Sequence, residues 1–252
     1  MSLESAYKPF DLTGGGYYKL AGVNIPEVVE IRHMTVKEVK YFSQLAQTGD
    51  VNTFIDGLLS ACCKVTTQGK LDINSMLTGD RVFLFYMLRA LTISNKYGFS
   101  VNCSECGKLN IADADLYTME KKHYDTSLGF PLKLKLKHSG KTIEFILPSR
   151  GIEKSVEQEV KKFKADNPNG DPPEAVYQLR KLIKSVDGDS DLPVILEFAE
   201  EMHIQDWIEL DKYITGISPG LDLDVVIPCQ FCSHENKEMF SVRPDQFFRF
   251  SD

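Results

Sequence analysis

The sequence predicts a mixed α+β fold, on three observations. A Cys-x-x-Cys turn stands in each half of the chain, Cys103-Ser-Glu-Cys106 and Cys229-Gln-Phe-Cys232, each between short runs of alternating polarity. Several other stretches carry apolar residues at helical spacing, and residues 130–147 alternate with period two about Ser139-Gly140. Together they predict an N-terminal helical core, β-hairpins that carry the two cysteine turns, and a helical insertion held between them.

Residues 1–27 contain Pro9, Gly14-Gly15-Gly16 and Pro26 among short apolar groups, and read as an extended N-terminal arm with a hairpin, ordered by docking on another surface. Residues 28–112 read as the helical core plus the first cysteine hairpin. Val28 to Arg32 is strand-like, and Thr35-Val-Lys-Glu38 is a capping box that starts a helix stopped near Gly49. Asp50 caps a second helix, in which Val51, Phe54, Ile55, Leu58, Leu59 and Cys62 share one face. Cys62 on that face reads as a buried small apolar residue. Thr78-Gly-Asp80 opens a third helix, apolar on nearly every side from Val82 to Leu91, and therefore the central one. Arg89 inside it needs a carboxylate, a route to the surface, or a partner from another subunit, because an unpaired buried guanidinium is costly.

Residues 113–150 read as a polar connection and a β-hairpin, Phe130 to Lys137 returning through Lys141 to Leu147. Residues 151–218 read as the helical insertion, interrupted by the loop Ala165 to Pro173. Asp187-Gly-Asp-Ser-Asp191 lacks a Glu in the frame of a calcium loop and reads as a turn with a helix cap. Residues 219–252 carry the second cysteine hairpin and end in the aromatic group Phe247-Phe-Arg-Phe250, which must pack on the core or on a partner.

Two Cys-x-x-Cys turns supply the four soft ligands of a tetrahedral zinc ion. The reading is one structural Zn2+ per chain held by Cys103, Cys106, Cys229 and Cys232, closing a long loop as a clasp. A closed four-cysteine site has no open position for water or substrate, which argues against metal catalysis. Reduced packing cysteines remain a second reading. A redox pair is a third, and it is disfavoured because thioredoxin-like turns lead into a helix while both of these lead into strand-like runs. His234 is the histidine nearest a cysteine turn, with His123 and His138 further off; four cysteines make it unnecessary as a ligand.

The chain carries 36 acidic against 29 basic residues, a net charge of −7, and a pI near 5.3. That balance argues against nucleic acid as the main ligand, since phosphate binding rests on Lys and Arg. No apolar run has the length of a membrane span, and the N-terminus has neither signal nor transit character, so synthesis in the cytoplasm is expected. The sequence holds no Gly-rich phosphate loop, nucleophile elbow or His-Glu-x-x-His, which predicts that the protein is not an enzyme.

The order of motifs carries one further reading. Met34-Thr-Val-Lys-Glu38, then Met76-Leu-Thr-Gly-Asp-Arg81 running on to Thr92, Cys-x-x-Cys-Gly at 103–107, Phe145-Ile-Leu-Pro-Ser149, and Pro219-Gly-Leu-Asp222 before a second Cys-x-x-Cys follow one another over about residues 17–250. This series resembles the T4-type bacteriophage baseplate protein family, of baseplate hub subunits. The resemblance implies a late, non-catalytic virion protein at the centre of a contractile tail's baseplate. It implies several copies around a symmetry axis, with contacts to other hub and spike proteins and to the end of the tape-measure protein. The alternative it leaves is a transient assembly factor for the hub. One departure stands in the second turn, where Ser233 occupies the place usual for Gly.

Overall fold

The central helix predicted from its all-round apolarity organises the molecule. The computed structural model describes residues 7–65, 70–241 and 247–248. Strand β1 (Lys8–Asp11) leads into helix α1 (Gly15–Ala21) and strand β2 (Val28–Ile31), followed by α2 (Val36–Ala46), α3 (Val51–Cys62) and β3 (Cys63–Val65). The central helix is α4 (Thr78–Thr92), on which Phe83, Leu84 and Leu88 are fully buried. It hands the chain to β4 (Lys96–Asn102) and β5 (Leu109–Asp115), then β6 (Lys121–Lys122), β7 (Leu132–Lys135) and β8 (Thr142–Phe145). The second half holds α5 (Arg150–Asp166), α6 (Glu174–Leu182), β9 (Ile183–Val186), α7 (Leu192–Glu201) and α8 (Ile204–Ile217). The described chain closes with β10 (Gly220–Leu221), β11 (Asp224–Pro228) and β12 (Glu235–Met239). The sheets are small and antiparallel: β1-β2-β3, β7-β8-β9, and the pairs β4-β5, β11-β12 and β6-β10.

Local sequence signals account for the helix starts. At α2 the Thr35 hydroxyl accepts from the Glu38 amide while the Glu38 carboxylate accepts from the Thr35 amide, the reciprocal pairing of a capping box. At α3 the Asp50 carboxylate accepts from the Thr53 amide at 3.0 Å, and Phe54, Ile55, Leu58, Leu59 and Cys62 form the buried face. Arg89 is buried within α4. Its Nη1 donates to the Ser94 carbonyl at 2.8 Å and its guanidinium lies over the Tyr97 ring at 4.6 Å, so backbone and ring contacts help to hold the buried charge.

The N-terminal segment departs from the extended arm expected over residues 1–27. Within its described part β1 pairs with β2, and Leu12, Tyr17, Tyr18 and Ile25 enter the common core. The physical reason is Asp80, a carboxylate at 0% exposure that needs donors. The Thr13 amide (2.7 Å), the Thr13 hydroxyl (2.6 Å) and the Gly14 amide (3.0 Å) supply them. A Cβ at Gly14 would meet the Asp80 carboxylate at 2.5 Å, so glycine is what lets the backbone come close enough. Residues 1–6 of the expected arm lie outside the described residues.

Two further expectations change. The segment around Ile183 is strand β9, which adds a third strand to the hairpin of β7 and β8 and interrupts the helical insertion. The polar connection after the first cysteine turn is partly sheet, since β5 runs to Asp115 and Lys121–Lys122 pairs with β10. In each case a strand that would present an open edge finds a partner distant in sequence. Phe247, from the terminal aromatic group, is fully buried against Phe54 and Phe85, with ring centroids 5.8 and 4.8 Å away. Arg249 and Phe250 lie outside the described residues.

Three of the segments that carry the motif order meet at the start of α4. The Thr78 amide donates to the Pro148 carbonyl and the Arg150 amide to the Met76 carbonyl. Gly79 packs so closely on Pro219 and Gly220 that a Cβ there would collide with the Pro219 carbonyl. Beneath this junction, Asp56 of α3 bridges two buried arginines, accepting from Arg81 Nε of α4 and Arg150 Nε of α5 at 2.7 Å each. Glu157 accepts from Arg150 Nη1 at 2.8 Å. Three helices far apart in sequence are thereby tied by charge-assisted hydrogen bonds.

Candidate metal centre

Each cysteine turn is the tip of a two-stranded antiparallel ribbon, and the two ribbons repeat one another position by position. In the first, Val101 pairs with Asn110 and Asn102 with Leu109; in the second, Ile227 pairs with Asn236 and Pro228 with Glu235. The Cys103 amide donates to the Lys108 carbonyl and the Gly107 amide to the Cys103 carbonyl; the Cys229 amide donates to the His234 carbonyl and the Ser233 amide to the Cys229 carbonyl. Gly107 at φ +69° and Ser233 at φ +60° both occupy the left-handed region that closes the turn. The Ser233 departure therefore leaves the backbone of the turn unchanged.

The two turns face each other. Cys103 Sγ lies 3.7 Å from Cys232 Sγ, and Cys106 Sγ lies 3.6 Å from Cys229 Sγ. All four sulfurs lie within 4.8 Å of one another. These separations are far beyond a sulfur–sulfur bond of about 2.05 Å. A tetrahedron with metal–sulfur bonds of about 2.3 Å has edges of about 3.8 Å, close to both cross-turn distances. The donor set is uniform and soft, and it can hold a metal ion. Cys103 and Cys229 are buried while Cys106 and Cys232 face solvent.

Electrostatics divide the cluster's thiols. The Cys106 amide holds the Cys103 thiol below its usual range. At Cys229 burial opposes ionisation, but the Phe231 and Cys232 amides outweigh it and bring the thiol down to about 6; the Phe231 N–H to Sγ distance is 3.4 Å. At Cys232 the His234 amide lowers the thiol, but burial and the neighbouring sulfurs of Cys106, Cys229 and Cys103 push it up to about 12. Thiolates brought this close repel one another, and a cation among them would favour the ionised forms.

Two asparagines, which no motif reading singled out, lock the halves together. Asn110 of the first ribbon is 1% exposed, and its Oδ1 accepts from the Gln230 amide of the second turn at 2.9 Å. Asn236 of the second ribbon is 3% exposed, and its Oδ1 accepts from the Ser104 amide of the first turn at 3.0 Å. Each asparagine thus holds the residue after the first cysteine of the opposite turn. The signal was present as a repeated Cys-x-x-Cys-x-x-x-Asn, at 103–110 and 229–236. His234 Nε2 lies 3.0 Å from Ser104 Oγ, and neither it, His123 nor His138 joins the sulfur cluster. Cys62 and Cys63 are buried elsewhere, where burial pushes the Cys62 thiol up to about 12.

The family model described as T4 bacteriophage base plate protein matches residues 17–249. The chain belongs to this family. The match takes in both cysteine turns and all the segments that meet at α4, so the baseplate protein is covered over nearly its whole length. Membership gives it a structural place in the tail of the virion, assembled with other baseplate proteins. No helix among its described residues is long and apolar enough to cross a membrane. No curated protein and no solved structure matches this baseplate protein.

Proposed function

We propose that this chain is a non-catalytic structural subunit of the central hub of a contractile-tail baseplate, held in shape by one structural zinc ion. Cys103, Cys106, Cys229 and Cys232 are its ligands. The observation that carries the reading is the convergence of four sulfurs from two distant ribbons, each sulfur pair at nearly the edge length of a zinc tetrahedron, in a chain of the baseplate family. When bound, the ion neutralises the thiolates and fixes the two ribbons to one another; Asn110 and Asn236 hold the turns in register around it. A four-sulfur set leaves no ligand position for substrate, which supports a building role.

The hub assignment rests on the motif order and on family membership. In this reading the chain sits in several copies around the tail axis, against other hub and spike proteins and the end of the tape-measure protein. Elemental analysis of chelator-free protein should give about one zinc per chain, and quantitative mass spectrometry of purified tails should give a fixed copy number. Protein without metal would refute the zinc assignment. Its presence in hub precursors but not in finished tails would refute the structural role in favour of a transient assembly factor.

A further inference from the structure

The junction at the start of α4 opens on one side into a groove of about 620 Å3. Gly79, Gly216 and Gly220 line it where helix, turn and strand come together, and of the three only Gly216 faces open space where a side chain would stand. Its walls are apolar, with Leu77, Val82, Leu147, Ile214 and Leu221 among them, and Met239 stands at the mouth with 74% of its surface exposed. Met239 is flexible and polarisable, the kind of side chain that adapts to an incoming group. The rim is acidic: Asp211, Asp222 and Asp224 line it. None of the three takes part in an ion pair among the described residues. The one basic side chain in the lining, Lys122, turns its ammonium toward the Thr215 carbonyl at 3.4 Å.

An apolar hollow bordered by three unpaired carboxylates is complementary to a large apolar side chain flanked by cations. We infer that this groove is a docking site for a segment of another baseplate protein that presents a Leu- or Phe-sized anchor next to Lys or Arg. The volume falls in the range of sites that bury such groups, about 300–1,000 Å3. Charge complementarity sets the orientation and the encounter rate, and the buried anchor supplies most of the affinity. The inference rests on the groove and on family membership, and stands apart from the zinc centre and the hub assignment.

The test is amide chemical-shift mapping of the full chain, titrated with a capped peptide of sequence Gly-Lys-Leu-Arg-Phe-Lys-Gly and, as control, its counterpart with Glu at every basic position. The basic peptide should move the amides of Thr78, Gly79, Thr215 and Leu221, and its binding should weaken as salt is raised. Replacing both rim residues, Asp211→Lys with Asp224→Lys, should weaken it about tenfold or more. Gly216→Phe should block it sterically without disturbing the fold, because a Cβ at this position meets no atom within 4 Å. Equal binding of the acidic peptide, shifts that avoid the groove, or no shift at all would overturn the inference. Movement of the same amides on raising protein concentration without peptide would overturn it too, by assigning the groove to a second copy of the chain.

Discussion

Ser233 holds a left-handed backbone that a Cβ disfavours by roughly 1 kcal/mol, at a position where its counterpart Gly107 has none. Ser233→Gly should therefore stabilise the protein by about 0.5–1 kcal/mol, read as a raised denaturant midpoint with an unchanged slope. Glu38 gives a pH-dependent counterpart. Its hydrogen bonds to the Arg32 guanidinium, with burial working against them and the Thr35 groups assisting, hold its carboxyl down at about 2 against an ordinary 4.5. A carboxyl depressed on folding stabilises above its unfolded value and loses that contribution as pH falls toward the folded one. Glu38→Gln should cost about 1 kcal/mol at neutral pH and flatten the acid limb of stability between pH 4.5 and about 2, measured by denaturation across that window.

At the scale of elements, the two ribbons form one unit because each supplies half of the sulfur cluster and one locking asparagine. Cys229→Ser should speed amide exchange in β4–β5 as well as in β11–β12; acceleration confined to β11–β12 would mean the ribbons are independent. The α3–α4–α5 tie is of a different kind. Asp56→Ala removes the carboxylate shared by Arg81 and Arg150, while Asn52, Glu153 and Glu157 still partner them, and should cost about 1.5–3 kcal/mol in equilibrium unfolding. Elements whose signal is local were legible in the sequence: the capping box at Thr35, the Asp50 cap, the apolar face of α3, and the spacing of both cysteine turns. Elements defined by a distant partner were not. Ile183 fits a helical pattern as well as a strand, and only the open edge of β8 decides between them. The locking role of Asn110 and Asn236 depends on two turns facing each other, which spacing alone does not reveal. Asp80 is one acid among many until the fold buries it and draws Thr13 and Gly14 onto it.

On the scale of the whole molecule, the sulfur cluster joins turns separated by nearly half of the chain, while the buried Phe247 and the paired strand β1 draw both ends of the described chain into one core. If the cluster holds zinc as proposed, a chelator should remove it without a large barrier, since Cys106 and Cys232 face solvent, and resistance to proteolysis should fall in step with metal loss.

If the chain sits in a contractile tail, as proposed, contraction pulls on it. With the ion in place, tension entering ahead of Cys103 and leaving beyond Cys232 crosses directly from one turn to the other, and everything from Cys106 to Cys229 is shunted out of the load path. Stretched between its ends, the metal-bound protein should hold back a length on the order of 40 nm until the sulfur junction ruptures, and the metal-free protein should release it early. The helices α5 to α8, enclosed by that junction, would keep their shape while the rest of the chain, including the α4 side of the groove, bears the strain.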